Sequence, residues 1–167
     1  MTLTKHMAAG LGAVAATLSL AGIARAEPEK VAVFDFQFAR GAPTPPTEED
    51  KVRLRKTTER FRALLTDTGR YALVPIDPVK GDVEKTADLR ACGGCADTFG
   101  KTLGADGIFV GEVQKVSNLI LNLNVYVKQL SGDVPEKAYS VDLRGDTDES
   151  FERGIRFLVE NNMGAGK

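Results

Sequence analysis

The sequence predicts a single-domain α+β fold. Its expected order is β-α-β-α-β-β-β-α, a mixed sheet ending in an antiparallel three-strand meander, with the helices packed on one face. Three observations predict it. Val31 to Phe38 is a short apolar run rich in β-branched and aromatic residues, the signature of a central strand. Two stretches of helical spacing follow, with a short strand-like run between them. From Leu119 onward, apolar and polar residues alternate through two successive segments, as they do in strands with one buried face.

Taken in order, the first strand closes in the Gly- and Pro-rich turn Gly41 to Pro46. Thr47 then supplies an N-cap hydroxyl, and Glu48, Glu49 and Asp50 place acids in a first helical turn. Val52, Leu54, Phe61, Leu64 and Leu65 carry the helix toward a stop at Gly69. Lys51, Arg53, Arg55, Lys56, Arg60 and Arg62 read as its solvated face. Tyr71 to Ile76 forms a second strand, and Asp77 to Arg90 has the polar, periodless composition of a loop. Helical spacing returns from Ala91 to Leu103, with Gly104 as the stop. Strands are expected over residues 106–116 and 119–130. Ser131-Gly132-Asp133 turns the chain into a last strand in which Tyr139, Val141 and Leu143 alternate with polar residues. Asp146 to Glu149 caps a final helix whose apolar face holds Phe151, Ile155, Leu158 and Val159.

Ahead of this body, Lys5 and His6 precede an uncharged run from Met7 to Ala24, closed by Ala24-Arg25-Ala26 before Glu27. That is the order of a secretory signal, with cleavage expected after Ala26. The run is mostly alanine and includes Gly10, Gly12 and Gly22, whereas a spanning helix takes about 20 strongly apolar residues. No cysteine closes it, so no lipid attachment is expected. The expected organisation is a signal over 1–26, one periplasmic domain over 27–162 that does not span a membrane, and a disordered tail over 163–167.

The 167 residues are 43% hydrophobic and 27% charged, an ordinary globular mixture. Lys and Arg number 22 against 23 Asp and Glu, a net charge of −1. Cleavage removes Lys5 and Arg25 but no acid, leaving 20 against 23 and a net charge of −3. Nucleic-acid binders need the opposite balance, so nucleic acid is excluded as a partner. His6 is the only histidine, and it leaves with the signal; there is no tryptophan. Without histidine the mature chain cannot build a Ser-His-Asp triad, a Cys-His pair or a His-ligated zinc site. The composition points away from an enzyme and calls for no cofactor. An enzyme would need a converging carboxylate pair, for example Asp35 with Asp106.

Two features carry chemistry. Cys92-Gly93-Gly94-Cys95 opens a helix in a chain bound for an oxidising compartment, where the pair fits a disulfide that staples the turn. Two other readings stand beside it: a redox dithiol activated by the helix N-terminus, and a soft-metal carrier such as one for Cu(I). Ser117, Asn118, Asn122, Asn124 and Tyr126 lie on or beside the non-core side of the long strand. Asparagine is poorly suited to strands, so its recurrence there marks a candidate partner-binding face. Asp142, Asp146, Asp148 and Glu149 cluster too, but without calcium-loop spacing and with Arg144 among them. They read as helix-capping acids, and no metal residues are assigned.

Val31 to Phe36 and Leu103 to Val113 resemble the first and third strands of TolB amino-terminal-like domains, a superfamily that includes curli-secretion and penicillin-binding-protein-activator lipoproteins. The sequence more closely resembles small uncharacterised secreted proteins of proteobacteria. The resemblance rests on Cys92 to Cys95 before Leu103-Gly104-Ala105-Asp106, on Lys115 to Leu121, and on Gly145 to Ser150. It implies a periplasmic, non-catalytic domain that contacts another cell-envelope protein. The alternative reading is a thiol-active protein, exchanging disulfides or carrying a soft metal through Cys92 and Cys95.

Overall fold

A computed structural model describes residues 27–41 and 45–164. The expected signal at 1–26 and residues 165–167 lie outside the described residues.

Strand β1 (Glu29–Val33) is followed by the short β2 (Gln37–Phe38) and the long helix α1 (Glu48–Asp67). Next come β3 (Tyr71–Leu73), a 3₁₀ turn (Asp77–Val79), α2 (Lys80–Lys85) and α3 (Cys95–Thr102). The chain ends with β4 (Gly107–Lys115), β5 (Ile120–Gln129), β6 (Lys137–Arg144), α4 (Asp148–Leu158) and a π-helical turn (Val159–Met163). All six strands form one sheet in the order β3-β1-β4-β5-β6, with β2 extending the β1 side of β4. β1 runs parallel to both β3 and β4, whereas β4, β5 and β6 form the antiparallel meander the sequence predicts.

The helices lie on both faces of the sheet rather than on one. Alternate residues along β1 and just past its end show it: Val31 and Val33 pack with Phe61 of α1 and Ile155 of α4, while Ala32 and Phe34 pack with Val79, Val83 and Ala96 on the other side. The cause is strand order. β3 and β4 flank β1 on opposite sides, so the β1-to-β3 and β3-to-β4 crossovers travel across the sheet in opposite directions. Crossovers of one hand that travel in opposite directions put their helices on opposite faces. A strand covered on both faces is apolar throughout, as Val31 to Phe34 is.

The segment read as a loop from Asp77 contains the 3₁₀ turn and α2, because Val79, Val83 and Leu89 are buried against β1 and β4. Met163, expected at the start of the tail, is buried in the main core beyond α4. Thr47 caps α1 as its sequence predicts: its Oγ1 accepts from Asp50 N at 3.1 Å, and Asp50 Oδ2 accepts from Thr47 N at 2.8 Å. Between β1 and β2 the chain stays beside β4 but advances four residues, Val33 to Gln37, against three on β4, Phe109 to Glu112, and the Phe36 ring lies against Gly111 of β4, where a Cβ would overlap the ring.

Candidate partner-binding face

The pleat of β5 sends Leu121, Leu123 and Val125 into the core beneath α1 and α4. Asn122, Asn124 and Tyr126 therefore face the other way. On that side α2 and α3 cover β1 and the first half of β4 but leave the remainder of β4, β5 and β6 open. The register sets Asn122 opposite Asp142 and Asn124 opposite Ser140; Asn122 is half-buried and Ser140 and Asp142 are exposed, whereas Asn124 is buried. Asn122 Nδ2 donates to Asp142 Oδ1 at 2.9 Å. Ser140 Oγ lies 2.9 Å from Asn122 Oδ1 and 2.7 Å from Asn124 Oδ1, and its single proton serves one of them at a time. The amide row is thus held in place by neighbouring side chains.

At one end of this face the Arg90 guanidinium stacks 3.6 Å from the centroid of the Tyr126 ring. Arg90 also grips Glu136 with two bonds of 2.7 and 2.9 Å. Partial burial, helped by Glu112, raises the Tyr126 phenol above its ordinary pKa, against the opposing pull of Arg90. Arg90 reaches this position from the loop before α3, and Cys92 and Cys95 are joined in that loop with their Cα atoms 5.6 Å apart. Gly93 and Gly94 adopt φ of 68° and 95°, a conformation that favours glycine. Cys92 and Cys95 are both half-buried, and Cys95 packs on the smaller core cluster.

Ser117 and Asn118 do not share the sheet face; they form the tip of the β4–β5 hairpin. Ser117 Oγ accepts from Leu119 N and Ile120 N, both at 3.2 Å, and the Asn118 carbonyl accepts from Asp146 N at 2.9 Å.

A second polar assembly was not foreseen in the sequence. Arg53, expected on the solvated side of α1, is buried: its Nη1 donates to Asp146 at 2.7 Å and its Nε to Asp148 at 3.0 Å. Lys115 Nζ binds Asp50 at 3.0 Å and Asp146 at 2.5 Å. Burial alone would raise the Asp50 carboxyl, but the Thr47 hydrogen bonds and Lys115 hold it down at about 2. A signal for Arg53 existed, since Asp50, Leu54, Thr57 and Phe61 are buried at helical spacing around it.

The carboxylate pair named from the sequence, Asp35 with Asp106, does not converge. Asp106 Oδ2 accepts from the Lys30 backbone N at the start of β1, whereas Asp35 lies beyond its end and pairs with Arg62 at 2.9 Å. About five residues of strand, roughly 16 Å, separate them. Of the other acids, Asp146 and Asp148 share Arg53, while Asp142 pairs with Asn122 and Glu149 with Arg153. Among the described residues, no three His, Cys, Asp or Glu side chains are grouped to hold a metal ion.

The model of the family described as "Protein of unknown function (DUF2380)" matches residues 29–163, and the chain belongs to that family. Among solved structures, the PelC dodecamer from Paraburkholderia phytofirmans is similar with a TM-score of 0.51 at 11% identity, covering 86% of this chain and 93% of that one. The likeness is one of fold. Lipoprotein GNA1162 from Neisseria meningitidis gives a TM-score of 0.47 at 13% identity, covering 68% of this chain and 80% of that one. The LpoB C-terminal domain from Salmonella enterica gives 0.45 at 14% identity, covering 71% and 86%. No curated protein matches the chain.

Proposed function

We propose that this member of the family is a non-catalytic accessory module of the cell envelope that binds another envelope component through the uncovered face of its sheet. One observation carries the reading: Asn122, Ser140 and Asp142 form an accessible polar row that no helix covers, held by hydrogen bonds to one another and to the buried Asn124. Side chains already ordered by their neighbours lose little freedom when a partner docks. The strand edges and amide groups of such a face suit a protein partner better than a small molecule. In this reading residues 1–26 export the chain to the periplasm. No described helix is long and apolar enough to cross a membrane.

The test is a photoreactive residue placed at Asn122 in the full chain in living cells, with a second at the exposed Lys101 of α3 as control. An adduct with an envelope protein at Asn122, absent at Lys101 and abolished by Ser140→Arg, is the expected result. Recovery of the unprocessed chain from the cytoplasm, or adducts that ignore Ser140→Arg, would sink the proposal.

A second reading, thiol exchange, is favoured by the half-buried Cys92–Cys95 bond at the N-terminal end of α3. Its reduction potential decides between exchange and a structural staple.

A further inference from the structure

The β4–β5 hairpin ends in Val116, Leu119 and Ile120, which are 64%, 76% and 62% exposed, within five consecutive residues. Single exposed aliphatic residues are ordinary; three on one tip are not. Nor is the tip loose. Val116 N and Ser117 N both donate to the Ile120 carbonyl, and Ser117 Oγ closes the turn. Gly145 N and Asp146 N, from the turn after β6, donate to the Leu119 and Asn118 carbonyls. The hairpin is therefore anchored to a second loop, and the aliphatic side chains are displayed on a braced support.

Beneath the tip runs a groove of about 390 Å³ between Leu119 and the N-terminal ends of α1 and α4, lined also by Glu49, Lys115 and Asp146. The cations in its floor are withdrawn: the Arg53 and Lys115 side chains are 7% and 10% exposed and are held by carboxylates. Glu49, whose side chain is 81% exposed, pairs with Arg53 Nη2 at 2.8 Å, but the groove's carboxylates, Glu49, Asp50 and Asp146, outnumber its cations, Arg53 and Lys115, so it presents a net negative charge. An aliphatic knob beside an exposed carboxylate repels an anionic lipid surface and complements an apolar segment that carries a cation.

Resting on the envelope-binding reading above, we propose that the hairpin tip is the anchor of the interface, and that its partner is a protein segment combining aliphatic residues with Lys or Arg. The aliphatic contacts supply the binding energy, and the partner's cation meets Glu49 at the groove rim.

The test uses the full chain with three probes: a short leucine-centred peptide flanked by lysines, its glutamate-flanked counterpart, and phosphatidylglycerol vesicles. Binding of the lysine peptide alone is expected, weakened at least tenfold by Leu119→Ser with Ile120→Ser and severalfold by Glu49→Lys. Both tip residues are exposed, so an unchanged thermal midpoint verifies that the variant still folds. Equal binding by the tip variant, a preference for the glutamate peptide, or capture by the vesicles would each overturn the proposal. Asn122→Arg separates the two ideas. Lysine-peptide binding lost in Asn122→Arg but kept in the tip variant removes the tip and leaves the sheet face standing; the reverse leaves the tip and removes the face.

Discussion

Arg53 Nη1 and Asp146 Oδ1 lie 2.7 Å apart, almost wholly out of solvent, and tie the first turns of α1 to the loop that enters α4. The pair joins two helices on one sheet face. Lys115, from β4, reaches the same carboxylate and carries the link into the sheet. Removing one member leaves the others charged and buried, which costs more than the pair itself contributes. Arg53→Ala is expected to lower the unfolding free energy by about 3 kcal/mol, measured by urea denaturation.

Asp50 gives the assembly a pH signature. Its folded pKa of about 2 lies below the ordinary carboxylate value of 3.8, so its contribution is fully present above about pH 4 and is lost as pH falls toward 2. The difference amounts to about 2 kcal/mol of stability. Comparing urea midpoints at pH 5 and pH 2.5 for the natural chain and Asp50→Asn tests this. The natural chain should lose more stability between the two, and equal losses would contradict the assignment.

The Cys92–Cys95 bond closes so short a loop that it removes little freedom from the unfolded chain. Replacing both cysteines by serine is expected to cost about 1–3 kcal/mol and to leave partner binding intact. A reduction potential below about −300 mV marks a staple, whereas one near −120 to −200 mV marks an exchanging pair. Loss of binding with the fold unchanged would argue for thiol chemistry.

Gly111 tests the link between β1 and β2. A side chain there overlaps the buried Phe36 ring, which packs on Phe61 with centroids 5.4 Å apart. Gly111→Val is expected to destabilise by about 2–3 kcal/mol, read as a lower thermal midpoint. Gly81, with open space around its Cβ position, is the control: Gly81→Ala should be neutral or slightly stabilising.

Local patterns in the sequence carried most of the elements. Alternation placed the core residues of β5 and β6, and Thr47 and the run Asp146 to Glu149 marked the helix starts. Asn122, Asn124 and Tyr126 were assigned to the outward face because a strand's period of two admits no other side once Leu121 and Leu123 are core. Ser117 and Asn118 adjoin the same strand in sequence, but the turn that carries them away from its face is set by hydrogen bonds that spacing does not show. Short α2 was missed because Val79 and Val83 are too few apolar residues to establish a period in a polar stretch.

The sequence by itself determined the longer elements, their order and the inward side of the meander strands, because these follow from side-chain spacing within one segment. Tertiary structure alone decided three things. Strand order put helices on both faces, Arg53 met Asp146 across 93 residues, and the hairpin tip acquired its brace from the loop before α4. Each joins segments far apart in the chain. Local periodicity holds no record of such pairings, since they arise only when buried charges and unpaired carbonyls find partners as the layers close.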